Sequence, residues 1–185
     1  MRLFNNKGSI LALVVIIIAV SMLLGTSVLY ITMSQMQIRK SNSELKKVFY
    51  LSENGLNQAY LRVYDLISEA TEDSLEKADD YLTLYPGDFN GAGNIFNNNY
   101  KLYIISNVSN RIKDTSNPYT QVLNEGALSF VQNKLKIRVS SKYISESRVE
   151  KYTSADFIIA TPNYQAIVEE DVDLSILINL YNFDL

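Results

Sequence analysis

The first feature of the chain is an uncharged apolar run near its beginning. Residues 9–31 read SILALVVIIIAVSMLLGTSVLYI, 23 residues without a charged side chain, and the next charge is Arg39. As an α-helix this run would be about 34 Å long, which exceeds the ~30 Å hydrocarbon thickness of a bilayer. The run therefore predicts a transmembrane helix, since a buried helix of a small domain is rarely so uniformly apolar.

Helical periodicity continues beyond this run. Polar residues enter from Thr32 onward without a proline or a turn cluster, and apolar residues from Leu45 to Ala70 then recur at spacings of three and four. We therefore expect residues 32–70 to form an amphipathic continuation of the same helix.

The second half of the chain predicts a small domain. The acidic segment 69–80 indicates a short second helix that Pro86-Gly87 ends, and residues 88–99, rich in Gly and Asn, predict a loop. Four segments are rich in strand-forming residues: 100–105, 128–131, 134–143 and 148–160.

Short connections link the last three of these predicted strands. Gln132-Asn133 and residues 145–147 have hairpin lengths, so these strands should form an antiparallel meander. The expected fold class is α+β, a long N-terminal helix packed on a small antiparallel sheet. The tail 163–185 carries no pattern that assigns it to an element.

Composition narrows the function. Lys and Arg total 17 against 20 acidic residues, so the net charge of -3 gives no basic excess for binding nucleic acid. The chain has neither Cys nor His, which removes disulfides, thiolates, the usual zinc sites and imidazole proton transfer. Because no nucleophile and base pair, phosphate loop or dinucleotide fingerprint is present either, we expect neither an enzyme nor a cofactor.

Charges around the apolar run indicate how the helix is oriented in the membrane, and small residues around it indicate where a peptidase would cut the chain. Arg2 and Lys7 precede the run and no acid occurs before Glu44, which favours a cytoplasmic N-terminus, although four basic residues between 39 and 47 oppose this. Lys7-Gly8-Ser9 places a small-residue junction before the run, whereas a secretory signal is cut after it. Weaker sites of the secretory kind, at 19–21 and 25–27, remain alternatives.

Together these residues resemble a type IV prepilin: a short basic leader ending in Gly8, an apolar helix directly after it, and an amphipathic extension of that helix. The segment Ser52-Glu53-Asn54-Gly55-Leu56 also resembles the A-E-A-G-L stretch of the PilX and GspK group of minor pilins and pseudopilins. The resemblance covers residues 6–67, about a third of the chain.

The resemblance implies a set of roles. A prepilin peptidase would remove the leader 1–8 by cutting between Gly8 and Ser9, and Ser9 would then be N-methylated. Residues 9–31 would serve as the transmembrane and assembly helix, and residues 71–185 would form an extracellular globular domain that the helix completes. The implied partners are other pilin subunits, the peptidase, the cytoplasmic membrane platform and membrane lipid; no nucleic acid is predicted.

Two positions depart from the family pattern. Ser9 stands where the family usually has Phe, and Leu13 stands where major pilins have Glu. In the family that glutamate is understood to pair with the N-terminal amine of a neighbouring subunit, where an unpaired charge would be costly. Leu13 cannot make this pair, which implies a rare subunit that primes assembly or occupies the filament tip. The alternatives are a type II secretion pseudopilin, a signal-anchored extracellular binding protein, and a secreted protein cut after the run.

Three further features are weaker candidates for sites. Asp88 and Asn90 have the spacing of the first ligands of a calcium loop, but Ala92 and Asn99 break that pattern. The acidic run 169–173 suits a metal or an interaction patch, although such runs are more often solvated. Gly25 and Gly55 lie inside the predicted helix, where each has two interpretations: close packing or simple tolerance of glycine, and local unwinding of the helix.

Overall fold

The computed structural model describes residues 6–169 and 178–184, and these form an α+β fold. The chain divides into two compact units after Leu45, and the second unit contains the sheet. In chain order the elements are α1 (Asn6–Leu84), α2 (Phe89–Ile112), β1 (Tyr119–Val122), β2 (Phe130–Val131), β3 (Lys134–Ile144), β4 (Glu150–Ala160), α3 (Tyr164–Glu169) and β5 (Ile178–Asp184), with a 3₁₀ turn at Glu125–Ala127.

The sheet is antiparallel throughout, in the order β1-β3-β4-β5, with β2 paired to the beginning of β3. Gln132 and Asn133 join β2 to β3 with φ values of 50° and 61°, the left-handed backbone that a two-residue hairpin turn requires. The connection from β3 to β4 runs through Ser145 and Val149, whose backbones are hydrogen-bonded. The predicted meander of three strands is therefore confirmed.

The main hydrophobic core lies between one face of this sheet and the two long helices. Both helices contribute a stripe of buried side chains, and the strands contribute alternate residues. The core side chains are Leu56, Ala59, Val63, Leu66, Ile67 and Ala70 from α1, Tyr100, Ile104, Val108 and Ile112 from α2, and Leu135, Ile137, Val139, Ala155, Phe157, Ile159 and Ile178 from the sheet. The predicted class, a long helix packed on a small antiparallel sheet, is confirmed.

Two predictions about residues 88–105 are wrong, because helix α2 occupies the whole segment. Its buried residues, from Ala92 through Phe96 and Tyr100 to Ile112, recur at every fourth position. The strand expected at 100–105 rested on β-rich composition over six residues, which the longer helical period overrides. The expected loop at 88–99 is helical because Asp88 caps α2, its Oδ1 accepting a hydrogen bond of 2.9 Å from Gly91 N.

The predicted end of the first helix near Ala70 is also wrong, since α1 continues to Leu84. Its buried stripe goes on through Thr71, Ser74 and Ala78, while the acidic residues lie mainly on the exposed side. The hydroxyls of Thr71 and Ser74 donate to the carbonyls of Ile67 and Ala70, so these buried polar groups are satisfied within the helix. The helix ends at the predicted Pro86-Gly87 break, where Gly87 has a φ of 90°.

Two strands had no counterpart in the sequence prediction. Strand β1 has four residues, and β5 lies in the tail for which no element was predicted. Residues 170–177 of that tail are outside the described part of the chain.

A buried carboxylate ties β3 to β4 on the outer face of the sheet. Asp156 lies opposite Arg138 in the strand register and is 1% exposed. Its oxygens accept a 2.8 Å bond from Arg138 Nε and a 2.8 Å ion pair from Lys136 Nζ. The hydrogen bonds from Arg138, reinforced by Lys136, lower the pKa of Asp156 from 3.8 to about 2.

Because Arg138 and Lys136 lower the pKa of Asp156, the free energy of unfolding depends on pH. Because the folded pKa lies below the unfolded one, the carboxylate stabilises the fold above pH 4, and that contribution of about 2 kcal/mol disappears as pH falls from about 4 to 2. Asp156→Asn should therefore lower the free energy of unfolding at pH 7 but have a much smaller effect at pH 2. Urea unfolding of the full chain in detergent micelles, followed by tyrosine circular dichroism, measures this.

The matched control is Asp65→Asn, since Asp65 is exposed and forms no ion pair with the residues that the structure describes. A gap between wild type and Asp156→Asn that stays constant from pH 7 to pH 2 would contradict the assignment.

Candidate functional site

The apolar segment of α1 is exposed along its entire length. The large hydrophobic side chains from Ile10 to Ile38 each leave between 44% and 77% of their surface uncovered. Within the described residues, α1 is the one helix long and apolar enough to cross a membrane, and none of its most apolar window is buried. A continuous apolar surface of this size requires lipid or other apolar partners around it.

Three hydroxyl side chains near the end of this segment are hydrogen-bonded inside the helix. The hydroxyls of Thr26 and Ser27 donate to Leu23 O at 3.0 and 2.7 Å, and that of Thr32 donates to Val28 O at 2.9 Å. A side chain in hydrocarbon has no water to bond, so such internal bonds reduce its cost there. These three hydroxyls are therefore compatible with an apolar environment.

The residues of the predicted processing site lie at the beginning of this helix. Gly8 and Ser9 are both within α1, and their side-chain surroundings fall outside the described residues. Leu13 is 59% exposed, in a stretch without charge between Lys7 and Arg39. Cleavage after Gly8, methylation of Ser9 and the consequence of Leu13 for assembly stay predictions.

The two glycines within α1 have different surroundings. A Cβ built on Gly25 would meet no atom within 4 Å, whereas one built on Gly55 would overlap Ser141 Oγ and lie 3.1 Å from two side-chain atoms of Pro118. Gly55 is thus the point of close approach between α1 and the sheet. Of the two alternatives, the structure favours close packing at Gly55.

The sheet presents a row of small hydroxyl residues beneath this point. Thr120, Ser141 and Thr153 lie side by side across β1, β3 and β4, and all three are buried. Thr120 Oγ1 donates to Ile112 O at 2.6 Å, while Ser141 Oγ and Thr153 Oγ1 have no hydrogen-bond partner within the described part of the chain. The segment that resembles the PilX and GspK group therefore has a packing role, since it allows α1 to approach these strands.

The segment considered as a calcium loop, which begins at Asp88 and Asn90, is the beginning of helix α2. Asp88 is the N-cap of α2, its second oxygen accepts a 2.7 Å bond from Tyr81, and Asn90 lies in the first helical turn. Hydrogen bonding to Gly91 and Tyr81 lowers the pKa of Asp88, in agreement with a capping role. The described residues contain no group of three or more His, Cys, Asp or Glu placed to hold a metal ion.

The acidic run lies at the edge of the described structure. Glu169 ends α3, and Glu170, Asp171 and Asp173 are outside the described residues. The run stays a prediction, with neither a metal nor an interaction role tested.

Sequence reasoning missed a groove on the outer face of the sheet. This cavity of about 360 Å³ lies where the segment that links α2 to β1 meets β1, β3 and β4. Its lining residues are Lys113, Asp114, Thr115, Tyr119, Thr120, Gln121, Ser140, Lys142 and Tyr152. The outward-facing positions of three strands provide most of the side chains, and only the strand register brings them together.

The charged groups of the groove are already held in place. Asp114 is hydrogen-bonded by Ser116 and by the guanidinium of Arg62, and these bonds hold its pKa well below the usual range. Lys142 Nζ lies 2.7 Å from Glu150, and its bonds to Glu150 and Tyr152 raise its pKa. Both groups therefore stay charged at neutral pH.

Comparisons of the chain with protein-family models, curated proteins and solved structures found no match.

The contact at Gly55 leads to a testable prediction about packing. Gly55→Ala should destabilise the domain by about 1–2 kcal/mol, because overlap with Ser141 and Pro118 outweighs the gain in helix propensity. Ser141→Ala alone should be close to neutral, since it removes a buried hydroxyl that has no partner. Combined with Gly55→Ala, it should recover most of the loss.

Urea unfolding of the wild type, the two single variants and the double variant forms a double-mutant cycle that isolates the contact. Gly25→Ala is the control, because its surroundings are open and only helix propensity changes. Equal effects of alanine at positions 25 and 55, or strict additivity of Gly55→Ala and Ser141→Ala, would refute the close approach.

Proposed function

We propose that this chain is a minor subunit of a type IV pilus or of a related secretion filament. In this proposal residues 1–8 are a leader cut off after Gly8, and residues 9–31 anchor the chain in the cytoplasmic membrane with a cytoplasmic N-terminus. The same helix later joins the filament outside the cell. The observation that carries the proposal is the composition of α1, in which an exposed uncharged segment and the buried stripe of the sheet domain belong to one helix.

The exposed apolar surface extends past the alternative cutting sites. Cleavage at Met22 or Val28 would leave Met33, Met36 and Ile38 on the product, each with more than half of its surface uncovered. Such an exposed apolar surface is unfavourable in a secreted, water-soluble product, because it promotes aggregation. A helix retained from Ser9 onward, surrounded first by lipid and then by the helices of other subunits, accounts for it.

The distribution of charge supports a place at the end of the filament. No acidic residue precedes Glu44, so the apolar segment has no carboxylate to pair with the amine of a neighbouring subunit. A subunit without this pair suits a position where one neighbour is missing. We infer a role in priming assembly or at the tip, with other pilin subunits, the peptidase, the membrane platform and lipid as partners.

A second candidate is a signal-anchored binding protein, and the groove on the outer face of the sheet favours it. Such a protein needs the membrane segment and a ligand site, but no processing at Gly8. The two candidates therefore differ at the N-terminus of the mature chain.

The first prediction of the proposal concerns Gly8. Gly8→Val should leave the full-length precursor in the membrane, because a peptidase that acts on the backbone beside the bilayer has no space for a branched side chain. Gly25→Val is the matched control in the same helix and should mature normally. Immunoblotting of membranes from the native host separates precursor from mature chain, and normal maturation of Gly8→Val would falsify the prepilin assignment.

A further prediction concerns Leu13 and position in the filament. Antibody against the sheet domain should label the ends of sheared wild-type filaments. Leu13→Glu should extend the label along the shaft, because the carboxylate can then pair with a neighbouring amine inside the apolar core.

Leu11→Glu is the control, since Leu11 is also exposed on the helix but lies two residues before the position of the family's glutamate. It should lower membrane retention without adding shaft label, because an unpaired charge in the span costs several kcal/mol. Regular shaft label of the wild-type chain would eliminate the end position.

A further inference from the structure

The groove on the outer sheet face contains a lysine between two tyrosines. Tyr119 of β1 and Tyr152 of β4 are both register partners of Lys142 in β3, so the three side chains form one row across the strands. The tyrosines are 40% and 55% exposed, and Lys142 Nζ lies 4.8 Å from the centre of the Tyr152 ring. Partly exposed tyrosine rings beside a cation are suited to a ligand that has both a flat apolar face and a negative charge.

The wall of the groove is held in shape before any ligand arrives. The backbones of Asp114 and Thr120 exchange two hydrogen bonds of 2.9 and 3.1 Å. The side-chain amide of Asn117 donates to Ile144 O at 2.6 Å and accepts from Ile144 N at 3.1 Å. A ligand therefore does not have to order this segment, which lowers the free-energy cost of binding.

The charge balance of the groove favours an anion. Asp114 is neutralised by Arg62 from α1, and Glu150 by Lys142. Lys113 is exposed and has no ion pair with the residues that the structure describes, so it leaves a net positive charge at the rim. Thr115, Gln121 and Ser140 add uncharged donors and acceptors to the lining.

We propose that this groove binds an acidic saccharide. A pyranose ring stacks on the exposed surface of the tyrosines, its carboxylate approaches Lys113, and its hydroxyls bond Thr115, Gln121 and Ser140. The cavity of about 360 Å³ is within the size range of small-molecule sites and accepts a short oligosaccharide. The site belongs to the sheet domain and requires no filament.

A nucleic acid fits the same surface less well. Its backbone needs a continuous basic track, but Lys136 and Arg138, further along β3, are both engaged by Asp156. The net charge of -3 also opposes a long polyanion. A nucleic acid is therefore the competing class that the experiment has to exclude.

The test is calorimetric titration of the full chain in detergent micelles with three probes: trigalacturonic acid, the uncharged galactotriose and a short oligo(dT). We expect trigalacturonic acid to bind at least about tenfold more tightly than either other probe, a difference of about 1.4 kcal/mol. Tyr119→Ala and Tyr152→Ala should each weaken its binding about tenfold, and Lys113→Gln should reduce the preference over galactotriose.

Three controls keep the outcome decisive. Tyr119→Phe and Tyr152→Phe retain the ring faces and should keep most of the affinity, which separates stacking from misfolding. Lys134→Gln changes an exposed lysine of β3 outside the groove and should have no effect. Absence of trigalacturonic acid binding up to about 10 mM, tighter binding of oligo(dT), or equal weakening by Lys134→Gln would each overturn the proposal.

Discussion

The buried stripe of α1 is the interaction on which the rest of the domain depends. Between Val48 and Ala78 the helix turns small and apolar residues toward the sheet and α2, and these cover the inward side chains of β3 and β4. At the point where α1 lies closest to the strands, the residues in contact are small: Gly55 on the helix and hydroxyl residues on the strands. Without this stripe, α2 alone would be left to cover the inner face of the sheet.

The same helix carries a second surface that no described residue of its own unit covers. From Ile10 to Ile38 its large apolar side chains are exposed, and the hydroxyls of Thr26, Ser27 and Thr32 bond to its own backbone. One part of the helix thus packs in the protein core beside the sheet, and the part toward the N-terminus has a surface suited to an apolar surrounding. This division gives the chain one segment long and apolar enough to cross a membrane and one folded sheet domain.

Much of this architecture was predictable because it is encoded in local patterns. The uncharged run, the stripe of α1 and the β2-β3-β4 meander with its Gln132-Asn133 turn all followed from periodicity and turn chemistry. The prediction of a strand at 100–105 was wrong because these residues individually favour strands, whereas the buried residues of the segment follow the four-residue spacing of α2. Such a conflict is resolved by packing against the sheet, which the local sequence does not reveal.

The groove could not be predicted for a related reason. Tyr119, Lys142 and Tyr152 are ordinary outward residues in the sequence, and they become neighbours only through the register of three strands, one of which has four residues. The roles of Gly8, Ser9 and Leu13, in contrast, are predicted from the sequence pattern alone. The structure adds only that these residues lie in α1.

The identity of the first residue of the mature protein tests the central claim most directly. Mass spectrometry of the wild-type chain, purified from membranes and filaments of its native host, determines that residue. The filament-subunit account predicts a chain that starts at Ser9 with a methylated amine. An uncut chain, or one that starts at Met22 or Val28, would contradict it.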